Sequence, residues 1–376
     1  MRLALATMTL AGSSLIFAKT MVPAGTVAPA RLAIYYGYPS LVNGANGDFE
    51  KAARVFGEYD AVILGDGLEF SDQKSGRYPP GDPEEHQKTL RIIAAVRDLS
   101  PGTRFYGYVC LGEIPNPKGE EISLTPGELE ERARLWKGMG VAGIFLDEAG
   151  YDFAVVTRKR QNMAVRIIHE LGLSAFLNAY FPEHLFSLED KLPHANGAAK
   201  NPEGLPPLLD RRDIFLLESF QVRNGNYESA SAWQARLQQA LDYRRRFGPG
   251  VFTTTTTTEQ EPFSAEKFNY AWWTALLYGL DGFSWGAPDF AALSNTLPDR
   301  RCGVDRAVLR GVEQSPAVHS DGRRFWRRAG NFLVVADTVT HAVYRVPREG
   351  SVEPKEVERL FLSPQEQSIL SCGGGA

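Results

Sequence analysis

The chain has 376 residues, 43% hydrophobic and 23% charged, which suits a soluble globular protein with one large core and room for an appendage. Its net charge of −4 argues against nucleic acid as a partner, because phosphate binding needs a basic face. Three scattered cysteines and six histidines without a His-x-His or His-Glu-x-x-His spacing give no reason to expect a metal centre, and no cofactor motif is present.

The first residues, "MRLALATMTLAGSSLIFA", hold one positive charge, Arg2, ahead of a long apolar stretch. Small residues follow as far as Ala28-Pro29-Ala30. Residues 1–30 therefore read as a signal peptide or disordered N-terminus, and export to the periplasm or beyond is expected. A start at Met21 would instead leave the protein in the cytoplasm. Thr7, Thr9, Gly12, Ser13 and Ser14 interrupt the stretch too often for a membrane anchor, and no other segment is apolar enough to span a bilayer.

Eight apolar runs follow in chain order: "LAIYYGYP" (32–39), "YDAVILGD" (59–66), "RFYGYVCLGE" (104–113), "VAGIFLDE" (141–148), "SAFLNAY" (174–180), "DIFLLESF" (213–220), "VFTTTTTT" (251–258) and "LDGFSWGA" (280–287). They are near-continuous rather than alternating, as parallel strands covered on both faces are. Helix starts punctuate the intervals: Asp82-Pro83-Glu84-Glu85, Thr125-Pro126-Gly127-Glu128 and Ser231-Ala232-Trp233-Gln234. Strand–helix alternation eight times over predicts an α/β fold, a (β/α)8 TIM barrel over residues 31–300. No glycine-rich dinucleotide fingerprint follows the first strand, which removes the main support for a doubly wound sheet. Short β-type runs within 322–347 predict a small antiparallel β appendage over 301–350, and 351–376 reads as an amphipathic helix and a loose tail.

A barrel gathers the C-terminal ends of its strands on one face, where barrel active sites lie. The acids there are Asp66 and Glu69 after the second strand, Glu113 after the third, Asp147 and Glu148 at the fourth, and Glu218 at the sixth. Tyr36, Tyr38, Asn178, Tyr180, Gln221 and Trp285 join them. Acids, aromatics and amides together describe a sugar site: carboxylates for acid–base and nucleophilic work, rings for stacking, amides for hydroxyls. Asp147 stands ten residues before the helix start at Thr157, and Glu218 thirteen before Ser231, both too far to cap those helices. Neighbours on a strand face opposite ways, so if Asp147 faces the barrel, Glu148 turns away from it. The threonine run from Thr253 to Thr258 reads first as strand structure.

The segments "LAIYYGYP", "YDAVILGD", "FYGYVCLGE" and above all "GVAGIFLDEAGYDF" resemble the barrel of the endo-α-1,4-polygalactosaminidase-like proteins, glycoside hydrolase family 114 and its spherulin-4-like relatives. The resemblance spans roughly residues 31–290. It implies a barrel glycosidase acting on galactosamine-containing polymers, with an Asp ending strand four and a Glu ending strand six. Those roles fall on Asp147 and Glu218. The expectation is an exported glycoside hydrolase that cleaves a polysaccharide with retention, Asp147 as nucleophile and Glu218 as acid/base. Tyr36, Asp66, Glu113, Glu148, Asn178, Tyr180, Gln221 and Trp285 would bind substrate. The alternative is a non-catalytic carbohydrate-binding or surface protein on the same scaffold. An arginine locking Glu218 beneath a closed mouth would mark that alternative.

Overall fold

The computed structural model describes residues 28–65, 67–74, 80–116, 118–197, 199–258, 264–286, 295–297, 318–329, 332–347 and 358–359. The expected signal peptide up to residue 27, and Asp66, lie outside the described residues.

Eight strands form the barrel: β1 (Ala30–Tyr35), β2 (Ala61–Leu64), β3 (Arg104–Cys110), β4 (Gly143–Asp147), β5 (Ser174–Asn178), β6 (Ile214–Leu217), β7 (Gly250–Thr254) and β8 (Gly282–Ser284). Each pairs in parallel with the next, and β8 closes the ring on β1. This is the expected TIM barrel, and every strand overlaps one of the eight apolar runs. The helices between them are α1 (Phe49–Phe56), α2 (Pro83–Leu99), α3 (Pro126–Met139), α4 (Arg158–Glu170), the short α5 (Pro182–Phe186), α6 (Ala230–Phe247) and α7 (Ala265–Tyr278). None among the described residues is long and apolar enough to cross a membrane.

The helix starts follow side-chain capping. Asp82 accepts from the Glu84 and Glu85 amides at α2, and Thr125 and Glu128 close a reciprocal capping box at α3. The start of α6 differs from expectation. Its cap is Ser229, not Ser231, and the Ser229 hydroxyl accepts from the Ala232 amide. The preceding Glu228 is ion-paired with Arg236 within the helix.

The barrel is filled rather than hollow. Leu32, Ile34, Ile63, Tyr106, Phe145, Phe176, Leu216 and Phe252 form its interior, in alternate positions along their strands. Residues of opposite parity pack outward: Trp136 of α3 lies over Gly107, where a β-carbon would come within 2.1 Å of its ring.

The threonine run leaves the sheet after Thr254 and fastens loops. The Thr255 hydroxyl accepts from the Gly286 amide, Thr257 donates to the Gly286 carbonyl, and Thr256 meets the Ser219 hydroxyl at 2.9 Å.

The C-terminal appendage is a five-stranded antiparallel sheet of β9 (His319–Ser320), β10 (Arg324–Ala329), β11 (Phe332–Asp337), β12 (Val343–Pro347) and β13 (Glu358–Arg359). The last strand falls within the segment read as helical from its sequence. Its two residues pair with Tyr344 and Arg345, so an open sheet edge, not local periodicity, sets their conformation. Phe325 packs on Trp233 of α6 and on Tyr270 and Tyr278 of α7. That contact explains why α7 buries Phe268, Tyr270, Trp272, Trp273 and Leu276 around much of its circumference: barrel on one side, sheet on the other.

Candidate active site

Three neighbouring strands bring their last inward-facing positions to the C-terminal mouth. Two residues beyond the interior Phe145, Phe176 and Leu216 stand Asp147 on β4, Asn178 on β5 and Glu218 just past β6. The period of two therefore sets three polar side chains above an apolar floor.

Asn178 joins the two acids. Its Nδ2 donates to Asp147 Oδ1 at 2.9 Å and to Glu218 Oε2 at 3.0 Å. Two bonds to one nitrogen hold those carboxylate oxygens within about 6 Å of each other. Carboxylates only accept, so the amide must turn its nitrogen to both.

The surroundings of the two acids differ. Asp147 also accepts from the Glu148 amide at 2.9 Å and from the Tyr108 hydroxyl, three donors in all. Glu218 accepts from Asn178 alone among these groups and feels the charges of Asp147, Arg236 and Asp152. Burial raises the pKa of Asp147, opposed by the bonds from Asn178, Glu148 and Tyr108. Burial also raises Glu218, opposed by the Asn178 bond and the Arg236 charge and reinforced by Asp147 and Asp152. By hydrogen bonds, the anion of Asp147 is held by three donors and that of Glu218 by one.

The backbone is strained beside each acid. Glu148 has φ 53° and Ser219 φ 52°, left-handed values that non-glycine residues adopt at a cost. At Glu148 this conformation accompanies an amide that returns to the Asp147 carboxylate.

Arg236 supports the Glu218 side from below. It donates to the backbone carbonyls of Tyr180 (3.3 Å), Glu218 (2.9 Å) and Ser219 (3.1 Å), and to Glu228 Oε2 at 2.8 Å. Its hydrogen bonds go to the main chain of residue 218 and leave the carboxylate to Asn178.

The remaining sequence candidates divide. Tyr36 reaches the mouth from β1 and packs edge-on against Tyr108 at 5.1 Å. Glu148 stands just past the end of β4 with a left-handed backbone, and its Oε2 accepts from Cys110 Sγ at 3.3 Å. Glu113 is exposed on the loop after β3, and its amide supports Glu148.

Four others are held by partners of their own. Tyr180 is stacked under Arg236 at 4.1 Å and bonded to Glu228 and Arg223, so its hydroxyl is spent within the support. Gln221 is 1% exposed and donates to Thr274 of α7, away from the mouth. Trp285 shares the outward parity of Phe283 and is buried against Phe268 of α7. Glu69, also expected at the mouth, is fully buried with Arg132 of α3 at 3.6 Å.

Two residues of the site escaped the sequence reading. Tyr108 is inward by the same alternation that places Tyr106, a signal present in "RFYGYVCLGE". Asp152 acts on Glu218 through a loop whose course no local pattern reveals.

A cavity of about 700 Å³ opens at the opposite end of the barrel, among Arg31, Asp60, Arg104, Asp213, Arg244 and Asp281. Several of its charges are already paired, Arg31 with Asp60 and Arg244 with Asp281. Among the described residues, His169, Asp210 and Asp213 are close enough to share a metal ion. Their atoms already serve the fold: His169 meets Asp213 at 2.9 Å, and Asp213 accepts from the Ala175 and Asp210 amides.

An expected outcome follows from the shared amide. Asn178→Leu keeps the volume and removes the donor between two acids. Both carboxyls should then titrate at higher pH than in the parent, read by carbon-13 NMR of labelled Asp and Glu. Unchanged titration would show that Asn178 does not hold the pair in its ionised form.

No protein-family model and no curated protein matches the chain. Among solved structures it is similar to the carboxyl transferase domain of Rhizobium etli pyruvate carboxylase with 3-bromopyruvate, at 13% identity and a TM-score of 0.41 over 69% of this chain and 40% of that one. It is similar to CpGH84B at 11% identity, TM-score 0.40, over 69% of this chain and 44% of that one. It is similar to morphinone reductase at 12% identity, TM-score 0.38, over 68% and 81%. The chain thus spans less than half the length of the first two. Likenesses this distant carry no argument about activity, and the fold rests on the closed ring of strand pairs.

Proposed function

We propose that the protein is a glycoside hydrolase working through Asp147 and Glu218. The observation that carries the reading is the asymmetric pair: two buried acids joined by one amide, one with three donors and the other with one. Glu218 donates its proton to the glycosidic oxygen while Asp147 attacks the anomeric carbon and forms a glycosyl ester. Glu218, now ionised, takes a proton from water, and that water opens the ester and restores Asp147. Two carboxylate oxygens within about 6 Å of each other are compatible with this retaining route. Glu148, Asp152 and the exposed Glu113 add negative charge around the mouth, which suits a polymer carrying protonated amines, such as the galactosamine polymers implied by the resemblance in sequence. The export expected from the first residues of the sequence would suit an extracellular polymer as substrate.

Release of reducing ends from a panel of amino-sugar and neutral polysaccharides tests the reading. The expected result is turnover of an amino-sugar polymer, faster at low salt because exposed charges are screened. Proton NMR of the first product should show the anomer of the starting linkage. An inverted first product would remove Asp147 from the nucleophile role, and no release from any polymer would remove the enzyme reading.

A further inference from the structure

Beside the catalytic pair, tyrosines extend from β3 to the β1 rim, and the outermost has no part in the reaction. Tyr108 bonds Asp147, and Tyr36 packs on Tyr108 from two strands away. The reach across β2 is possible because residue 65 is glycine: a β-carbon there would come within 2.8 Å of the Tyr36 Cα. Two residues further out, Tyr38 is 47% exposed.

Tyr38 is held where it stands. Its amide donates to Asn295 Oδ1 at 2.8 Å, and its carbonyl accepts from the buried Tyr35 hydroxyl at 2.8 Å. Gly37 permits this packing, since a β-carbon would fall 2.4 Å from Asn295 Oδ1 and 2.9 Å from the Tyr35 oxygen. The Tyr38 ring itself has no ring contact and no side-chain hydrogen bond among the described residues. The backbone is thus fastened on both sides while the aromatic side chain is offered to solvent, an arrangement that returns little to stability. With the backbone already fixed, only the two side-chain torsions of the tyrosine remain to be ordered when a flat apolar surface stacks on its ring.

We propose that a sugar chain runs from Asp147 past the edge-to-face pair of Tyr108 and Tyr36 and outward over the β1 rim, with Tyr38 as the stacking platform of an outer subsite. The inference rests on the glycosidase reading and adds that the ligand is a chain of several sugars rather than a single one. Tyr36 and Tyr108 line the inner part, and Tyr38 meets a ring further along the same chain.

The test measures binding without turnover. Asp147→Asn protein is titrated calorimetrically with a galactosamine hexamer, a glucosamine hexamer and a neutral hexose hexamer, in the presence and absence of Tyr38→Ala. The expected result is a hexamer Kd weakened about three- to tenfold by Tyr38→Ala, the scale of one aromatic contact, and restored by Tyr38→Trp. Thermal melts establish that the variants are folded. An equal Kd with and without Tyr38 overturns the outer subsite, while turnover by the parent protein that depends on Asp147 would leave the hydrolase reading in place. Absence of binding by every hexamer overturns the outer subsite, and absence of turnover on the polymer panel separately overturns the hydrolase.

Discussion

Asp147→Asn and Glu218→Gln are each expected to lower turnover by about two to four orders of magnitude while leaving the fold intact. Both substitutions keep the shape and the capacity to meet Asn178, and each removes a charge or a transferable proton. The parent should show a bell-shaped pH profile, because Asp147 must be ionised and Glu218 protonated, and its two limbs belong to the coupled pair. Stability should move the other way. Burial raises both carboxyls in the folded state above their ordinary values of 3.8 for Asp and 4.5 for Glu. A raised acid contributes stability that is complete below the unfolded pKa and is lost as pH rises through the folded one. At neutral pH each buried charge therefore costs stability, and the neutral variants should unfold at higher urea concentration than the parent. Near-normal turnover in either variant would eliminate that residue from the chemistry, and lower stability at pH 7 in both would contradict the burial argument.

The second large effect concerns Arg236. Replacing it with Met should destabilise the protein by about 3–5 kcal/mol, the cost of removing one partner of a buried ion pair. The pair with Glu228 is enclosed, with side chains only 10% and 8% exposed. The substitution would also release the carbonyls of Tyr180, Glu218 and Ser219 and leave the Tyr180 face uncovered. Arg236→Lys should recover little, since an ammonium cannot reproduce the planar fork. Adding Glu228→Gln to Arg236→Met should restore part of the loss by removing the stranded charge. Urea unfolding curves measure each value. A loss for Arg236→Met of only about 1 kcal/mol, typical of a surface pair, would show that the arginine is not the support of the Glu218 turn.

Both predictions rest on features that differ in how far local sequence determines them. The eight strands were legible because parallel barrel strands are covered on both faces and so appear as unbroken apolar runs, "GIFLD" at β4 being the plainest. Helix starts at Asp82 and Thr125 were legible because a cap is a contact across three residues. The inward positions of Asp147, Asn178 and Glu218 follow from a period of two and the C-terminal mouth of a barrel. Alternation does not carry over to Glu148, because β4 ends at Asp147 and the backbone turns left-handed at the next residue.

What local sequence could not decide are the partners that arrive from elsewhere in the chain. The Asn178 bridge joins residues 31 and 40 positions apart. Trp285 and Gln221 resemble mouth residues in composition, but the packing of α7 draws both into the core. Glu69 is turned inward by Arg132 of α3, and Tyr180 is enclosed by Arg236 of α6, each pairing set by where a helix docks. Residues 358–359 are strand because the β12 edge lies beside them, whereas their own sequence suits a helix. Periodicity and capping act within a few residues and can be read along the chain. Which polar groups meet once the ring closes is a property of the three-dimensional packing, and at this mouth it selects the two acids joined by Asn178.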